Sequence, residues 1–497
     1  MKILLGIDYG TGGCKVTAIG VDGSFAGEAS VEYTTYHDHP GWSEQEPQDW
    51  WTSLCEALKK LSARGVDLKS VAACALDGST HNAVLLDGSY KPVRRTIMWT
   101  DQRATAECEA LKAGWGERIF STCYQMPAPT WTLPQLMWLK ANEPAVLERT
   151  EHVLFVKDYV RYLLTGEAAT DHIEAQGTLM WAMPGRNGTK EVDGAWDAEL
   201  VALSGVKVSA MPKIISPTDI AGHVTAEAAA ATGLPEGLPV VCGSSDSAVE
   251  DYGAGAVEPG DLIIKLATAG NVNSMTAAAH PHPKTLTYSH IVPGMWYSVS
   301  ATNAAALCMR WLRDTWGFAD YGVIDEEAAK SPVGANGVFF HPYLQGERCP
   351  YWDANLRASF TGVSISSARG DFCRALMEGV AFSLRDCYRT LEEMKLPVKR
   401  IFLIGGGARS KVWSEIVANV FNCPVAVPTP GDASFGACLL AGTGIGVFSG
   451  VKDAVAKCLH IDRTITPDAD AAAKYDHLFT CYRRIHDALA PVYTQRK

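Results

Sequence analysis

The sequence has 497 residues, a formal net charge of −11, 47% hydrophobic residues and 20% charged residues. A chain of this length exceeds what one hydrophobic core usually organises, so we expect at least two domains in an ordinary globular protein. The negative charge disfavours nucleic acids and anionic membranes as general partners. Local amides, cations or a metal ion could still bind an anionic substrate.

The cysteines and the first residues both bear on the cellular compartment. Fourteen cysteines are scattered from Cys14 to Cys481 without a CxxC pair, which favours reduced, mostly buried thiols over disulfides or a zinc site. The initial apolar run is short and is interrupted by Asp8, unlike a signal peptide or a membrane span. We therefore expect a cytoplasmic protein that does not associate with membranes.

In chain order, residues 2–34 predict three strands, separated by the turns Gly10-Thr11-Gly12-Gly13 and Asp22-Gly23. A helical pattern begins at Pro47, a residue suited to a first helical turn, and another strand is predicted at 71–76. These alternating patterns are typical of the α/β class.

Apolar strands that end in loops of small residues return at 238–241 and 262–266. Because the first strand of the chain ends in the same way, the pattern indicates two α/β domains built on a similar plan. We place the domains at 1–243 and 244–497.

Further along, a strand at 400–404 runs into Gly405-Gly406-Gly407-Ala408, and a helix follows. Such a junction can seat a nucleotide, because glycine permits close contact and a helix N-terminus has free N–H donors. The motif is neither GxGxxG nor GxxxxGK[ST], so it supports neither a Rossmann site nor a P-loop. A glycine connector without a ligand is the alternative.

The first glycine turn is a candidate phosphate loop. Its glycines would let the backbone approach a phosphate, while Thr11 offers a hydroxyl and Lys15 a charge. Asp8 would meet a phosphate only through Mg²⁺ or water. On composition alone, a plain β-hairpin whose acid caps the turn is the commoner interpretation.

The most specific motif lies within residues 358–379. Its constrained positions are Ala358, Phe360, Gly362, Val363, Asp371, Phe372, Ala375, Leu376, Met377, Glu378 and Gly379. This pattern resembles the second signature of the FGGY family of carbohydrate kinases, and the resemblance extends from about residue 3 to about residue 440. It implies an actin-like ATPase (ribonuclease H-like) fold, with two α/β domains and a cleft between them.

Further passages are similar to the members of this family that phosphorylate xylulose, namely 41–47, 99–103, 157–159, 346–348 and 404–410. The resemblance implies ATP and Mg²⁺ as cofactors, and the conversion of D-xylulose to D-xylulose 5-phosphate. Another ketose or a polyol, such as ribulose, L-xylulose or erythritol, is the alternative acceptor. The implied partners are a small-molecule sugar, ATP and a second copy of the chain in a homodimer.

The resemblance also implies a role for individual residues. Asp246 would be the catalytic base and Asp8 would hold the metal. The residues implied to bind the sugar are Thr80, His81, Asn82, Asp101, Arg103 and Asp246. The residues implied to bind the nucleotide are Thr11, Gly12, Lys15, Thr268, Gly270, Gly406, Gly407, Ala408 and Lys411.

The chain departs from the family pattern at three places. Gln135 stands where a lysine is usual, Ala267 stands where a glycine begins the second phosphate loop, and Thr80 and Asn82 replace the neighbours of His81. Two functions outside the kinases therefore stay open, an actin-like ATPase that drives a conformational change and a sugar-sensing binding protein.

The residue types alone permit simpler structural roles. Asp246 could cap a turn or a helix, and His81 could be a satisfied histidine at the end of a strand. Asp101 and Arg103 could form a surface ion pair.

Overall fold

The computed structural model describes residues 2–184 and 194–494. The strands and helices of the first half are, in chain order, β1 (Ile3–Gly10), β2 (Gly13–Gly20), β3 (Phe25–Glu32), β4 (Glu44–Gln45), α1 (Pro47–Ala63), β5 (Val71–Gly78), β6 (Ala83–Leu86), β7 (Thr96–Ile97), α2 (Thr105–Cys123), α3 (Thr132–Asn142), α4 (Pro144–Arg149), β8 (His152–Phe155), α5 (Val156–Thr165), β9 (Ala169–Asp171), α6 (His172–Gln176), β10 (Trp181–Ala182), β11 (Ala195–Trp196), α7 (Ala198–Ser204), β12 (Lys213–Ile215), β13 (Ile220–His223), α8 (Ala226–Thr232) and β14 (Pro239–Ser245).

The second half continues with α9 (Asp246–Gly253), β15 (Asp261–Leu266), β16 (Gly270–Thr276), β17 (Leu286–Ser289), β18 (Trp296–Thr302), α10 (Ala306–Trp316), α11 (Tyr321–Lys330), β19 (Phe339–His341), β20 (Ser359–Thr361), α12 (Arg369–Glu393), β21 (Arg400–Ile404), α13 (Lys411–Phe421), β22 (Val425–Pro428), α14 (Ala433–Gly444), α15 (Val451–Cys458), β23 (Ile461–Ile465) and α16 (Ala469–Thr494). Short 3₁₀ turns lie at Leu68–Ser70, Val208–Ala210, Ala335–Gly337 and Gly406–Arg409. Among the helices in the described ranges, none is both long enough and apolar enough to cross a bilayer.

Two mixed sheets organise these elements. The first has the strand order β13-β14-β5-β1-β2-β3, and the second has the order β17-β18-β16-β15-β21-β22-β23. In the first sheet β1, β2 and β3 form an antiparallel meander, with β5 and β14 parallel to β1. In the second sheet β15, β16 and β18 form the meander, with β21 and β22 as the parallel strands. The predicted similarity of the two halves is therefore confirmed at the level of topology.

The central strands have the apolar sequences that their position requires. Both β1 and β21 are flanked by strands on either side and are buried over most of their length, as is typical of strands covered on both faces. The predicted helix at Pro47 is α1, in which Pro47 occupies the first turn. The domain boundary proposed after residue 243 stays a prediction, and β14 continues across it directly into α9.

Helix α14 joins the two halves of the chain. It belongs to the second half but packs on β1 and β5 of the first sheet, and it crosses α9. The crossing is close because glycines lie at the contacts. A Cβ atom placed on Gly436 would lie 2.2 Å from the carbonyl oxygen of Val249, and one on Gly6 would lie 1.8 Å from that of Ser434.

The crossing gives a prediction on stability. We expect Gly436→Ala to destabilise the protein by about 3 kcal/mol, because backbone atoms in a packed contact must move to admit the methyl group. The matched control is Gly114→Ala in the exposed face of α2, where nothing lies within 4 Å of the added carbon. That change should be neutral or stabilise by up to about 1 kcal/mol. Urea unfolding of both variants measures the difference, and equal stabilities would contradict the packing role of Gly436.

Candidate active site

The two candidate phosphate loops occupy corresponding places in the two sheets. The strands β1 and β2 pair as far as Gly10 and Gly13, which leaves Thr11 and Gly12 as a two-residue hairpin turn. The strands β15 and β16 pair as far as Leu266 and Gly270, and Thr268 lies exposed in their turn. A Cβ atom on Gly12 would have nothing within 4 Å, so the backbone of the first turn is open to a ligand.

Two carboxylates lie side by side beneath the first turn. Asp8 of β1 is in register with Asp77 of the parallel strand β5. Both oxygens of Asp77 and the Oδ1 atom of Asp8 are buried, and none of the three has a hydrogen-bond partner among the residues that the structure describes. Burial raises the pKa of Asp8 to about 7 and raises that of Asp77 well above its ordinary value. Such a pair is poorly satisfied by the protein alone and would be stabilised by a proton or a cation.

Lys15, predicted to bind phosphate, is already engaged with carboxylates. Its Nζ atom lies 2.7 Å from Asp432 and 3.0 Å from Glu28. Asp432 caps the N-terminus of α14 through the backbone N–H of Phe435, so the contact ties the first hairpin to the second half of the chain. A role of Lys15 at phosphate stays a prediction.

Asp246 begins α9 directly after the buried strand β14. Its Oδ1 atom accepts hydrogen bonds from the backbone N–H of Ser247 at 2.7 Å and from the hydroxyl of Thr80 at 3.3 Å. Within the described part of the chain, no hydrogen bond ends on Oδ2. Burial raises the pKa of Asp246, against the opposing charge of Lys265. Lys265 is bound to Glu250 at 2.5 Å, so α9 is bridged to the strand that leads to the second phosphate turn.

His81 adjoins Thr80 and has an unusual backbone. Its φ angle is +56°, in the left-handed region that side chains other than glycine seldom adopt. Its ring stacks on Trp131 with the centroids 4.7 Å apart. Burial lowers the pKa of His81 to about 3, so the imidazole is neutral at physiological pH.

Asn82 connects the segment that carries Thr80 and His81 to the first candidate phosphate turn. Its Oδ1 atom accepts the backbone N–H of Trp99 at 2.5 Å, and its amide group donates to the backbone oxygen of Ser79 at 2.7 Å. The indole N–H of Trp99 in turn donates to the hydroxyl of Thr11 at 3.2 Å. Asn82 is fully buried, and these contacts indicate that it fixes a loop. Its direct contact with sugar stays a prediction.

Asp101 and Arg103 form a buried ion pair, so the simpler expectation of a surface pair is wrong. Two guanidinium nitrogens lie 2.9 and 2.8 Å from the Asp101 carboxylate, and a third lies 2.7 Å from Glu44. The guanidinium also covers the ring of Trp42 at 3.7 Å. These contacts indicate that both residues stabilise the 99–103 loop. Their binding of sugar stays a prediction.

The predicted adenosine corner lies beside the second phosphate turn. Gly405 has a φ of +85°, and a Cβ atom there would lie 2.7 Å from the carbonyl oxygen of Leu266. Gly406 has open space around it, whereas Gly407 packs on Trp413 and Ala408 is buried. Lys411 is exposed in the first turn of α13. The glycines thus allow the end of β21, the second turn and the N-terminus of α13 to lie close together. Such an arrangement can bind a nucleotide.

The departures from the family pattern have local structural roles. Gln135 is buried, and its amide donates to the backbone oxygens of Met98 at 3.1 Å and Thr130 at 3.2 Å. The carbonyl of Ala267 accepts the N–H of Ala306 at 2.7 Å, so its backbone is held by the start of α10. The contacts of Gln135 therefore form without the lysine that is usual in the family, and the contact of Ala267 forms without the usual glycine.

Sequence reasoning missed Asp77, Glu174 and Tyr288. Asp77 could have been found, because it ends a buried strand just as Asp8 does. Glu174 is buried and accepts a hydrogen bond from the backbone N–H of His81. Tyr288 is buried, and burial raises its pKa, with smaller contributions from the charges of Glu174 and Asp246. No sequence pattern marked the last two residues, because their partners are distant along the chain.

No group of three or more His, Cys, Asp or Glu side chains that could hold a metal ion occurs among residues 2–184 and 194–494. A metal at Asp8 and Asp77 would therefore draw its other ligands from phosphate oxygens and water. This is the usual coordination of Mg²⁺ in phosphoryl-transfer enzymes.

Comparison with known proteins places this geometry in a family. Residues 3–253 match the N-terminal domain, and residues 268–445 the C-terminal domain, of the FGGY family of carbohydrate kinases. The xylulose kinase of Lactococcus lactis is 30% identical, over 98% of this chain and 97% of that protein. The gluconokinase of Bacillus subtilis is 25% identical, over 99% of this chain and 97% of that protein.

A solved structure gives the same result. The crystal structure of xylulose kinase from Rhodospirillum rubrum is 30% identical with a TM-score of 0.90, covering 99% of this chain and 100% of that chain. The chain belongs to the FGGY family of carbohydrate kinases. It is an ATP-dependent sugar kinase, and the predicted actin-like ATPase fold is confirmed.

Proposed function

We propose that this kinase converts D-xylulose and ATP to D-xylulose 5-phosphate and ADP, with Asp246 as the general base. The observation that carries the proposal is the setting of Asp246 beside Thr80, with Oδ1 held by the protein and Oδ2 available to a hydroxyl. Another ketose or a polyol, such as ribulose, L-xylulose or erythritol, is the second candidate acceptor.

In the proposed reaction, the acceptor hydroxyl donates its proton to Oδ2 of Asp246 as its oxygen bonds to the γ-phosphorus. The bond from that phosphorus to the bridging β–γ oxygen breaks, and ADP leaves. The raised pKa of Asp246 suits this task, because a base with a pKa nearer the operating pH holds the proton better. Thr80 and His81 would orient the acceptor, while Thr11 and Thr268 would bond the phosphate oxygens.

Mg²⁺ bound to the nucleotide would neutralise phosphate charge during transfer. Asp8 and Asp77 suit such an ion, because Oδ1 of Asp8 and both oxygens of Asp77 are buried without a partner in the described ranges of the chain. Asp8 would bind the ion and Asp77, beside it on β5, would support it. The nucleotide itself would lie along the second turn and the glycine corner, against Gly270, Gly406, Gly407, Ala408 and Lys411.

The charges at the acceptor side favour a neutral sugar over an anionic one. Lys265 offsets the charge of Asp246 but is bound to Glu250 at 2.5 Å. The charge of Lys157 acts on Glu174, but its Nζ atom lies 2.6 Å from Asp158 and 2.8 Å from Asp171. A substrate carboxylate would lose its hydration without gaining either cation, which is costly.

We also propose a cytoplasmic location and small molecules as the only required partners. All fourteen cysteines are free and most are buried, as suits a reducing compartment. The homodimer stays a prediction.

The role of Asp246 is tested with a neutral isostere. We expect Asp246→Asn to lower kcat by about 10³-fold, since general-base catalysis typically contributes 10²- to 10⁴-fold. The KM for ATP should change little, and Asp314→Asn on the surface serves as the control. In the wild type, kcat/KM should fall as the pH falls through the raised pKa of Asp246, because the base must be ionised. Sugar-dependent ADP release that survives in Asp246→Asn would contradict the assignment.

The acceptor is tested with a panel of ketoses, polyols and D-gluconate in a coupled ADP-release assay. We expect D-xylulose to give the highest kcat/KM and D-gluconate a value at least about 100-fold lower, because Lys157 and Lys265 are already paired with carboxylates. Replacing Mg²⁺ by EDTA should abolish release. A value for D-gluconate within tenfold of the best neutral acceptor would refute the charge argument, and ADP release without any acceptor would favour an ATPase.

A further inference from the structure

Glu174 lies in α6 and is almost completely buried, with 1% of its surface exposed. Its Oε1 atom accepts the backbone N–H of His81. Its Oε2 atom is buried without a partner in the part of the chain that the structure describes. A carboxyl removed from water for one hydrogen bond is costly, so its contact with His81 needs an explanation beyond packing.

The backbone of His81 is held at both ends. Its N–H donates to Glu174, and its carbonyl accepts the hydroxyl of Thr132 at 2.5 Å. The φ angle of +56° is unfavourable for histidine, and these two bonds help to retain it. Gly177, the residue that follows α6, also packs closely here, since a Cβ atom on it would lie 2.9 Å from the Cβ of His81.

The same helix is connected to the catalytic carboxylate by two routes. Through the acceptor side, His81 adjoins Thr80, whose hydroxyl donates to Asp246 at 3.3 Å. Through the core, Asp171 caps α6 at the N–H of Ile173 and accepts the hydroxyl of Ser244 at 2.7 Å. Ser244 lies on β14, two residues before Asp246, which begins α9. A displacement of α6 would therefore alter the acceptor side and the base together.

We propose that Glu174 is a positioning residue of the acceptor site, which acts by holding the left-handed backbone of His81. It thereby sets where the imidazole of His81 lies relative to Asp246. The inference rests on the proposed function only in that the acceptor binds beside Asp246. It adds a buried acid, distant from the signature motifs, to the machinery that selects the acceptor.

The test is a double-mutant cycle on kcat/KM for the acceptor. Glu174→Met preserves the volume of the side chain but lacks the accepting oxygen, and His81→Ala removes the imidazole. We expect each change to lower kcat/KM for the acceptor at least about tenfold, mainly through KM, with the KM for ATP within about twofold of the wild type. Because Glu174 acts through His81, the double variant should match His81→Ala to within about twofold. Glu174→Gln retains an accepting oxygen and should stay within about threefold of the wild type.

Multiplicative losses in the double variant would overturn the proposal, as would an equal rise in the KM for ATP. If Glu174→Met does not fold, Glu174→Asp decides, because it keeps the carboxylate but withdraws it from the backbone N–H of His81. A rise in the acceptor KM with an unchanged KM for ATP supports the proposal, and an unchanged acceptor KM or an equal rise in both KM values overturns it. The cycle is measured with whichever acceptor the wild type phosphorylates. Failure of D-xylulose as a substrate would thus refute the proposed substrate and leave this test in place.

Discussion

The site depends on the contact of α14 with α9 and β1. Helix α14 reaches from the second half of the chain onto the first sheet, and it can do so only because Gly6 and Gly436 lack side chains at the contacts. The contact brings Asp432, at the start of α14, to Lys15 in the first hairpin. It also holds α9, and therefore Asp246, against the strands that carry Asp8. The packing of helices thus decides where the candidate phosphate loops and the proposed base lie.

The second organising feature is a concentration of buried negative charge. Asp8, Asp77 and Asp246 each have a raised pKa, chiefly because burial removes the carboxylates from water. The charge of Asp246 raises the pKa of Asp8 further. The nearby cations Lys15 and Lys265 are bound to carboxylates and stabilise the framework. A site of this kind suits a metal–nucleotide complex and a neutral acceptor, since both avoid adding an uncompensated negative charge.

The parts of this arrangement that could be predicted from the sequence are those encoded locally. Hairpin turns, glycine junctions and apolar strands depend on neighbouring residues, so Thr11 and Gly406 were predicted in the correct kinds of loop. The roles of Glu174 and Arg103 depend on partners far along the chain. Glu174 meets His81 across 93 residues, and Arg103 is buried by Glu44 and Trp42. Tertiary packing alone converts an apparent surface pair into a buried support.

The most direct test of the central claim is the identity of the product. D-xylulose, ATP and Mg²⁺ would be incubated with the protein, and the phosphorus and carbon NMR spectra of the product recorded. The account predicts one phosphomonoester at the C5 hydroxyl, formed in equal amount with ADP and absent with Asp246→Asn. Inorganic phosphate with unchanged sugar, or ADP release that needs no sugar, would contradict it.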